Sequence, residues 1–227
     1  MQITFRPAAD ASTPRLVARL VEQDRLPADL DRAVAEGARA NRFTGKAGQV
    51  FETFAERGGR VERLALVGTG PDRGDGPEGP LDRAGAALAA KYMTSGESAL
   101  ALEAAGLDST SLGAILTGLV LRNWRYDVHR TKLKDEQKVS LEEVVVLGAG
   151  DGAEASWQEQ SAVVEGVAFA RELVAEPANV IYPESFVERC RQRLAGTGAE
   201  LTVVDEGQVR GLRMGARPGV SQGSARP

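Results

Sequence analysis

The sequence predicts an α/β fold. Short apolar runs rich in Val and Leu alternate with stretches whose apolar positions recur every three to four residues, and the strand-then-helix order repeats along the chain. Clusters of Gly and Pro punctuate it, and no internal period suggests a solenoid. At 227 residues, 42% hydrophobic and 26% charged, the chain is long enough for one sizeable soluble domain with part of another.

Residues 2–5 alternate as a strand does, and residues 16–21 form a second apolar run after a turn-rich stretch with Asp10, Ser12 and Pro14. Leu30, Val34 and Ala38 recur every fourth residue and predict a helix over 27–38, with Asp29, Asp31 and Glu36 toward water. Residues 61–67 read as a strand stopped by Gly68-Thr69-Gly70, and the Gly- and Pro-rich stretch 68–80 as an exposed loop. A helix over 81–91 and a short strand over 99–102 follow. Asp108, Ser109, Thr110 and Ser111 offer a cap for a helix carrying Leu112, Ile115, Leu116, Leu119 and Val120.

The polar run 132–138 reads as a solvated connection into the strand 144–147. Past Gly148, Gly150 and Gly152, where a domain boundary is expected, a long helix is predicted over 155–174. Val163, Val164, Val167, Ala168 and Leu173 supply its apolar face. Pro177 and Pro183 flank a segment that proline biases toward extended geometry, and Pro183 fits the first turn of a helix ending near Leu194. Residues 201–204 read as a strand, and Asp205 and Glu206 start a short helix to Arg210.

Composition excludes several function classes. The 28 Lys plus Arg against 32 Asp plus Glu leave a net charge of -4, which gives no electrostatic case for a nucleic-acid or anionic-membrane partner. One Cys and one His are too few for a disulfide framework or a Cys/His zinc site. The apolar stretches are too short or interrupted to span a bilayer, and no targeting segment is visible, so a cytoplasmic location is expected.

Single constellations point to structure. Thr44-Gly45-Lys46-Ala47-Gly48 has a Gly-Lys pair without the glycine-rich approach or following hydroxyl of a phosphate loop, and reads as a tight turn. In Gly68-Thr69-Gly70-Pro71 the proline removes a donor and the third glycine of a dinucleotide turn is absent. His129 sits among Arg130 and Lys132 as a surface residue, and Cys190 reads as a buried structural thiol. Glu142 and Glu143 would point to opposite faces of a strand, while Glu154, Glu159 and Glu165 lack helical pair spacing. Trp124 and Tyr126 read as packing residues, without the basic groove a single-stranded nucleic acid would require.

Two stretches together carry more. The run 166–183, Gly-Val-Ala-Phe-Ala-Arg-Glu-Leu-Val-Ala-Glu-Pro-Ala-Asn-Val-Ile-Tyr-Pro, closely resembles the helix, Pro-Ala-Asn loop and following proline that join the two domains of the leucyl (cytosol) aminopeptidase family. Residues 43–48, 63–68 and 124–132 match in the family's order, as do 214–216 and 219–224 near the end. The resemblance implies a macro-like mixed sheet sandwiched by helices over 1–150, and over 151–227 the linker helix with an incomplete α/β catalytic-domain fragment. Tyr182 stands where the family has a capping Thr, and Arg213, Arg217, Pro218 and Ser221 interrupt its apolar terminal segment, which argues against that tail entering a sheet.

Full-length members, by the same resemblance, are cytoplasmic hexamers that remove N-terminal residues from peptides. They use two divalent cations, zinc or manganese, held by Lys, Asp and Glu in glycine-rich motifs beyond Pro227. No catalytic, cofactor-binding or metal-ligating residue is therefore assigned within 1–227, and no cofactor is expected for this chain. The expected function is that of a truncated leucyl-aminopeptidase-like protein without peptide hydrolysis of its own. Alternatives are a binding or assembly module for a full-length relative or nucleic acid, or part of an active metal-dependent aminopeptidase. Expected partners are a second copy or a full-length relative, with peptide substrates only if the catalytic domain is restored. Asn179 is expected to tie the loop backbone together.

Overall fold

In a computed structural model, which describes residues 1–71, 80–214 and Gly223, the chain divides into two compact units, Met1–Ala168 and Phe169–Pro227. The division falls inside one long helix, whereas the sequence places a boundary near Gly152. Residues 72–79 of the expected loop, and Arg217, Pro218 and Ser221, lie outside the described residues.

The first unit is built on a six-stranded sheet. Its strands are β1 (Gln2–Arg6), β2 (Leu16–Glu22), β3 (Val50–Arg57), β4 (Arg60–Gly70), β5 (Ala99–Glu103) and β6 (Glu143–Leu147), in the order β1-β6-β5-β2-β4-β3. All neighbours are parallel except β3, which runs antiparallel to β4. The central strands are near-continuous apolar runs, because helices or side chains cover both faces of a parallel sheet. Strand β3 has no counterpart in the sequence reading. Gly58 and Gly59, at φ +58° and +75°, turn it into β4, a conformation that side-chain-bearing residues resist.

Helices α1 (Arg32–Ala40), α2 (Pro80–Tyr92), α3 (Ser109–Asn123) and the start of α4 (Ala153–Ala175) complete this unit. On one face, Leu16, Ala18, Leu100, Leu102, Val144 and Val146 pack against Leu88, Tyr92, Ile115 and Leu119. Each fully buried aliphatic side chain there contributes about 1.5–3 kcal/mol. Helices α2 and α3 cross closely, since a Cβ on Gly85 would overlap the Ile115 carbonyl oxygen and one on Gly118 that of Asp82.

On the other face α1 brings Val34 and Ala38 onto Phe51, Leu64 and Leu66. Val17, Ala101 and Val145 are also buried there. From the same face Arg19 binds Glu103 at 2.8 Å and Asp29 at 2.9 Å, and Arg57 binds Glu103 at 2.6 Å. The sandwich is thus uneven, with α2, α3 and the start of α4 on one side and one helix beside an ion-pair network on the other.

Caps fix the helix starts. Asp108 accepts from Ser111 N–H at 2.9 Å, as expected for α3. Helix α1 begins at Arg32 instead of Pro27, because the Asp31 carboxylate accepts the Ala33 N–H at 2.7 Å and holds the cap there. In α4 the expected apolar face is mostly outside. Ala153, Trp157 and Val164 are its buried positions, while Val163 is 68% exposed.

The second unit contains the end of α4, α5 (Pro183–Leu194) and α6 (Glu206–Gly211). Pro183 occupies the first turn of α5, and Asp205 caps α6 by accepting from Gln208 N–H at 2.8 Å. Residues 201–204, expected as a strand, are exposed and have no ladder among the described residues, since a strand forms only against a partner. No helix among the described residues is long and apolar enough to cross a membrane.

Candidate functional site

The two glycine-bearing turns of the sequence meet at the ends of β2 and β4. Gly48 N–H donates to Gly68 O at 2.9 Å, Gly68 N–H to Gln49 O at 2.8 Å and Gly70 N–H to Gly45 O at 2.9 Å. Gly45 and Gly48 take φ of +76° and +77°, and a Cβ on Gly68 would overlap the Lys46 carbonyl. Backbone donors that a phosphate cradle would aim outward are engaged with the neighbouring turn, and Lys46 is exposed. The pair of turns is a junction between strands.

Past α3, Trp124 stacks on Tyr126 with centroids 6.2 Å apart, and Tyr126 meets His129 edge-on at 5.8 Å. His129 is exposed, with Nε2 3.5 Å from the Tyr126 hydroxyl, and Asp127 holds Arg125 at 3.3 Å and Arg130 at 3.2 Å. The segment is a stacked surface ladder: His129 is exposed as its polar neighbours suggest, whereas Trp124 and Tyr126, read from the sequence as packing residues, are half-buried. Beside it lies an open cavity of about 690 Å³ bordered by Val120, Asn123, Trp124, Leu133, Val139 and Val164. Asn123 donates to the Leu141 carbonyl at 3.0 Å, and its buried Oδ1 has no hydrogen-bond partner.

The acidic residues do not converge. Glu143 accepts from the Thr4 hydroxyl at 2.9 Å, while Glu142, Glu154, Glu159 and Glu165 are exposed. Cys190, read from the sequence as buried, is half-buried on α5 because that helix has no buried residue. Asn179, expected to tie backbone together, is exposed. The Pro177 carbonyl closes that loop instead, accepting from Val180 N–H at 2.8 Å and Ile181 N–H at 3.0 Å. Where Tyr182 lacks a capping hydroxyl, Ser185 supplies one, accepting from Tyr182 N–H at 2.9 Å. Arg189 braces the loop by binding Glu172 at 3.0 Å and Glu176 at 2.5 Å.

The strongest electrostatic feature was not legible in the sequence. Arg63 on β4 binds Glu52 on β3 at 3.2 Å and Glu97 at 3.4 Å, and its guanidinium lies 5.2 Å from the Tyr92 ring centroid. Lys91 lies 5.8 Å from the same ring. Burial and then the contact with the Glu52 carboxylate push the Tyr92 phenol well up. Burial works against the Glu52 charge too, but Tyr92, Arg63 and Lys91 outweigh it and hold the carboxyl below its ordinary 4.5. A neutral phenol between fixed cations anchors α2 to the sheet and offers neither acid nor base near neutral pH.

Among the described residues no three His, Cys, Asp or Glu side chains gather as a metal ion would need.

Residues 16–133 match the model of the cytosol aminopeptidase family N-terminal domain, and residues 168–227 that of the same family's catalytic domain. A protein of Bradyrhizobium sp. named "Probable cytosol aminopeptidase" is 34% identical over 100% of this chain and 47% of its own length. One of Rhodopseudomonas palustris with the same name is 36% identical over 86% of this chain and 39% of its own. The chain thus spans about half the length of the curated relatives it matches. Among solved structures, a mutant of tomato leucine aminopeptidase superposes with TM-score 0.79 at 24% identity, covering 100% of this chain and 49% of that one. The bottromycin maturation enzyme in complex with Mn gives 0.73 at 24%, covering 95% and 44%. At that identity the two structures speak to the fold.

Proposed function

This chain belongs to the cytosol aminopeptidase family, and from that premise we propose that it is the family's N-terminal accessory domain joined to the opening of the catalytic domain, without peptide hydrolysis of its own. The observation that carries the reading is the contrast between its two units. The first has a packed six-stranded core, whereas residues 169–214 of the second bury one hydrophobic residue, Val209. Two-metal peptide hydrolysis requires ligands held within fractions of an ångström by rigid, packed elements. A segment with one buried hydrophobic residue supplies no such frame, and its carboxylates are exposed or paired with arginines.

Peptide substrates and divalent cations accordingly belong to proteins that carry the rest of the domain. The family is named for the cytosol, and that compartment is proposed for this chain. The test is an assay of the purified 227-residue chain on leucinamide and leucyl dipeptides with added manganese or zinc. The expected result is no metal-dependent turnover beyond that of a mock purification. Turnover that follows the chain through successive columns and disappears on chelation would overturn the proposal.

A further inference from the structure

The cavity of about 690 Å³ beside the Trp124–Tyr126 ladder is bordered by residues of the first unit alone, and its size is that of a small-molecule site. Val120, Val139 and Val164 give it hydrocarbon walls. Two groups on its border are acceptors without a donor. Asn123 is 7% exposed; its Nδ2 is spent on the Leu141 carbonyl at 3.0 Å, and its buried Oδ1 has no partner among the described residues. Glu142 is exposed, and its carboxylate makes no ion pair or hydrogen bond among the described residues. The cationic side chains of the border are already held, Arg125 by Asp127 at 3.3 Å and Lys138 by Asp135 at 2.7 Å. A buried acceptor left without a donor is costly, and a carboxylate without a counter-charge favours a cation.

We propose that this cavity binds a small protonated amine carried on an apolar body. An N–H of the ligand donates to Asn123 Oδ1, the Glu142 carboxylate at the exposed rim complements its charge, and its hydrocarbon part lies against Val120, Val139 and Val164. An anionic ligand fits less well, because it meets the unpaired carboxylate. A pure hydrocarbon leaves Asn123 Oδ1 without its donor. The inference does not rest on the functional reading above, since no step of peptide hydrolysis is assigned to the cavity.

The test titrates the isotopically labelled 227-residue chain with phenethylamine, phenethyl alcohol and hydrocinnamate, ligands of similar shape that differ in charge, and follows the resonances by NMR. The expected result is saturable binding of the amine with a Kd of about 1 mM or tighter, with movement of the Asn123 side-chain amide and the Trp124 indole resonances. The alcohol should bind about fivefold more weakly and the acid not measurably. Glu142→Gln should bring the amine down to the affinity of the alcohol and leave the alcohol unchanged. Val139→Trp, which narrows the cavity, should remove binding of both while the resonances of the six-stranded sheet stay in place. If that variant disturbs folding, Glu142→Gln at its exposed position still decides. The proposal is overturned if the amine does not saturate, if the acid binds as tightly as the amine, or if the Asn123 resonances stay still. A preference for the amine that survives Glu142→Gln overturns it as well. Binding is read without any hydrolysis assay, so its failure leaves the functional reading standing, and metal-dependent turnover by the chain leaves this inference untouched.

Discussion

Tyr92 has no exposed surface, and burial beside the Glu52 carboxylate pushes its phenol well above the ordinary 10.0. Glu52 is therefore the member of that cluster whose titration is felt. Its folded pKa lies below the ordinary value, so the stability it contributes is present above about pH 4.5 and is lost as pH falls through the depressed folded value. Glu52→Gln should destabilise the protein at about pH 7, and the gap to wild type should be smaller at about pH 3. Urea melts at both pH values check this, and an equal gap at the two would show that the charge is immaterial. None of this was visible in the sequence. Glu52, Arg63 and Tyr92 lie on three different elements, and no local spacing announces a contact made by sheet pairing and helix packing. Exposed residues such as His129 and Glu154 were easier, because polar neighbours in the chain already imply a solvated position.

At the scale of elements, the crossing of α2 and α3 gives a prediction in which two effects oppose. Gly85→Ala or Gly118→Ala gains about 1 kcal/mol of helix propensity. Each also drives a Cβ into the backbone of the facing helix, and overpacking of that kind costs about 1–3 kcal/mol. The steric cost should win, lowering the midpoint of thermal unfolding. A raised midpoint would mean that the two helices separate freely. Most elements of the first unit could be read from the chain, because apolar runs and Asp caps act locally. Strand β3 escaped because Glu52, Glu56 and Arg57 dilute its apolar signal. The Gly58-Gly59 turn between two strand-like runs was the cue for it. Residues 201–204 erred in the other direction. Their composition suits a strand, but composition supplies no neighbour.

For the whole molecule, the contrast between the units predicts uneven stability. Amide exchange should be slowest in β2, β5 and β6, most of whose residues are buried, and orders of magnitude faster through residues 176–214. Uniform protection along the chain would contradict this account of the second unit. The candidate site was legible only as a family resemblance, carried by the motif of residues 166–183. Sheet order has a kinetic consequence of its own. Strand β1 is synthesised long before β6, its neighbour among the described strands, with Gln2 facing Glu143. At about 5–20 residues per second, the nascent β1 waits several seconds or more for that neighbour to leave the ribosome. Folding during synthesis is therefore expected to pair β2, β3 and β4 before β1 docks on β6, so deleting Gln2–Arg6 should leave the early steps intact and remove the last.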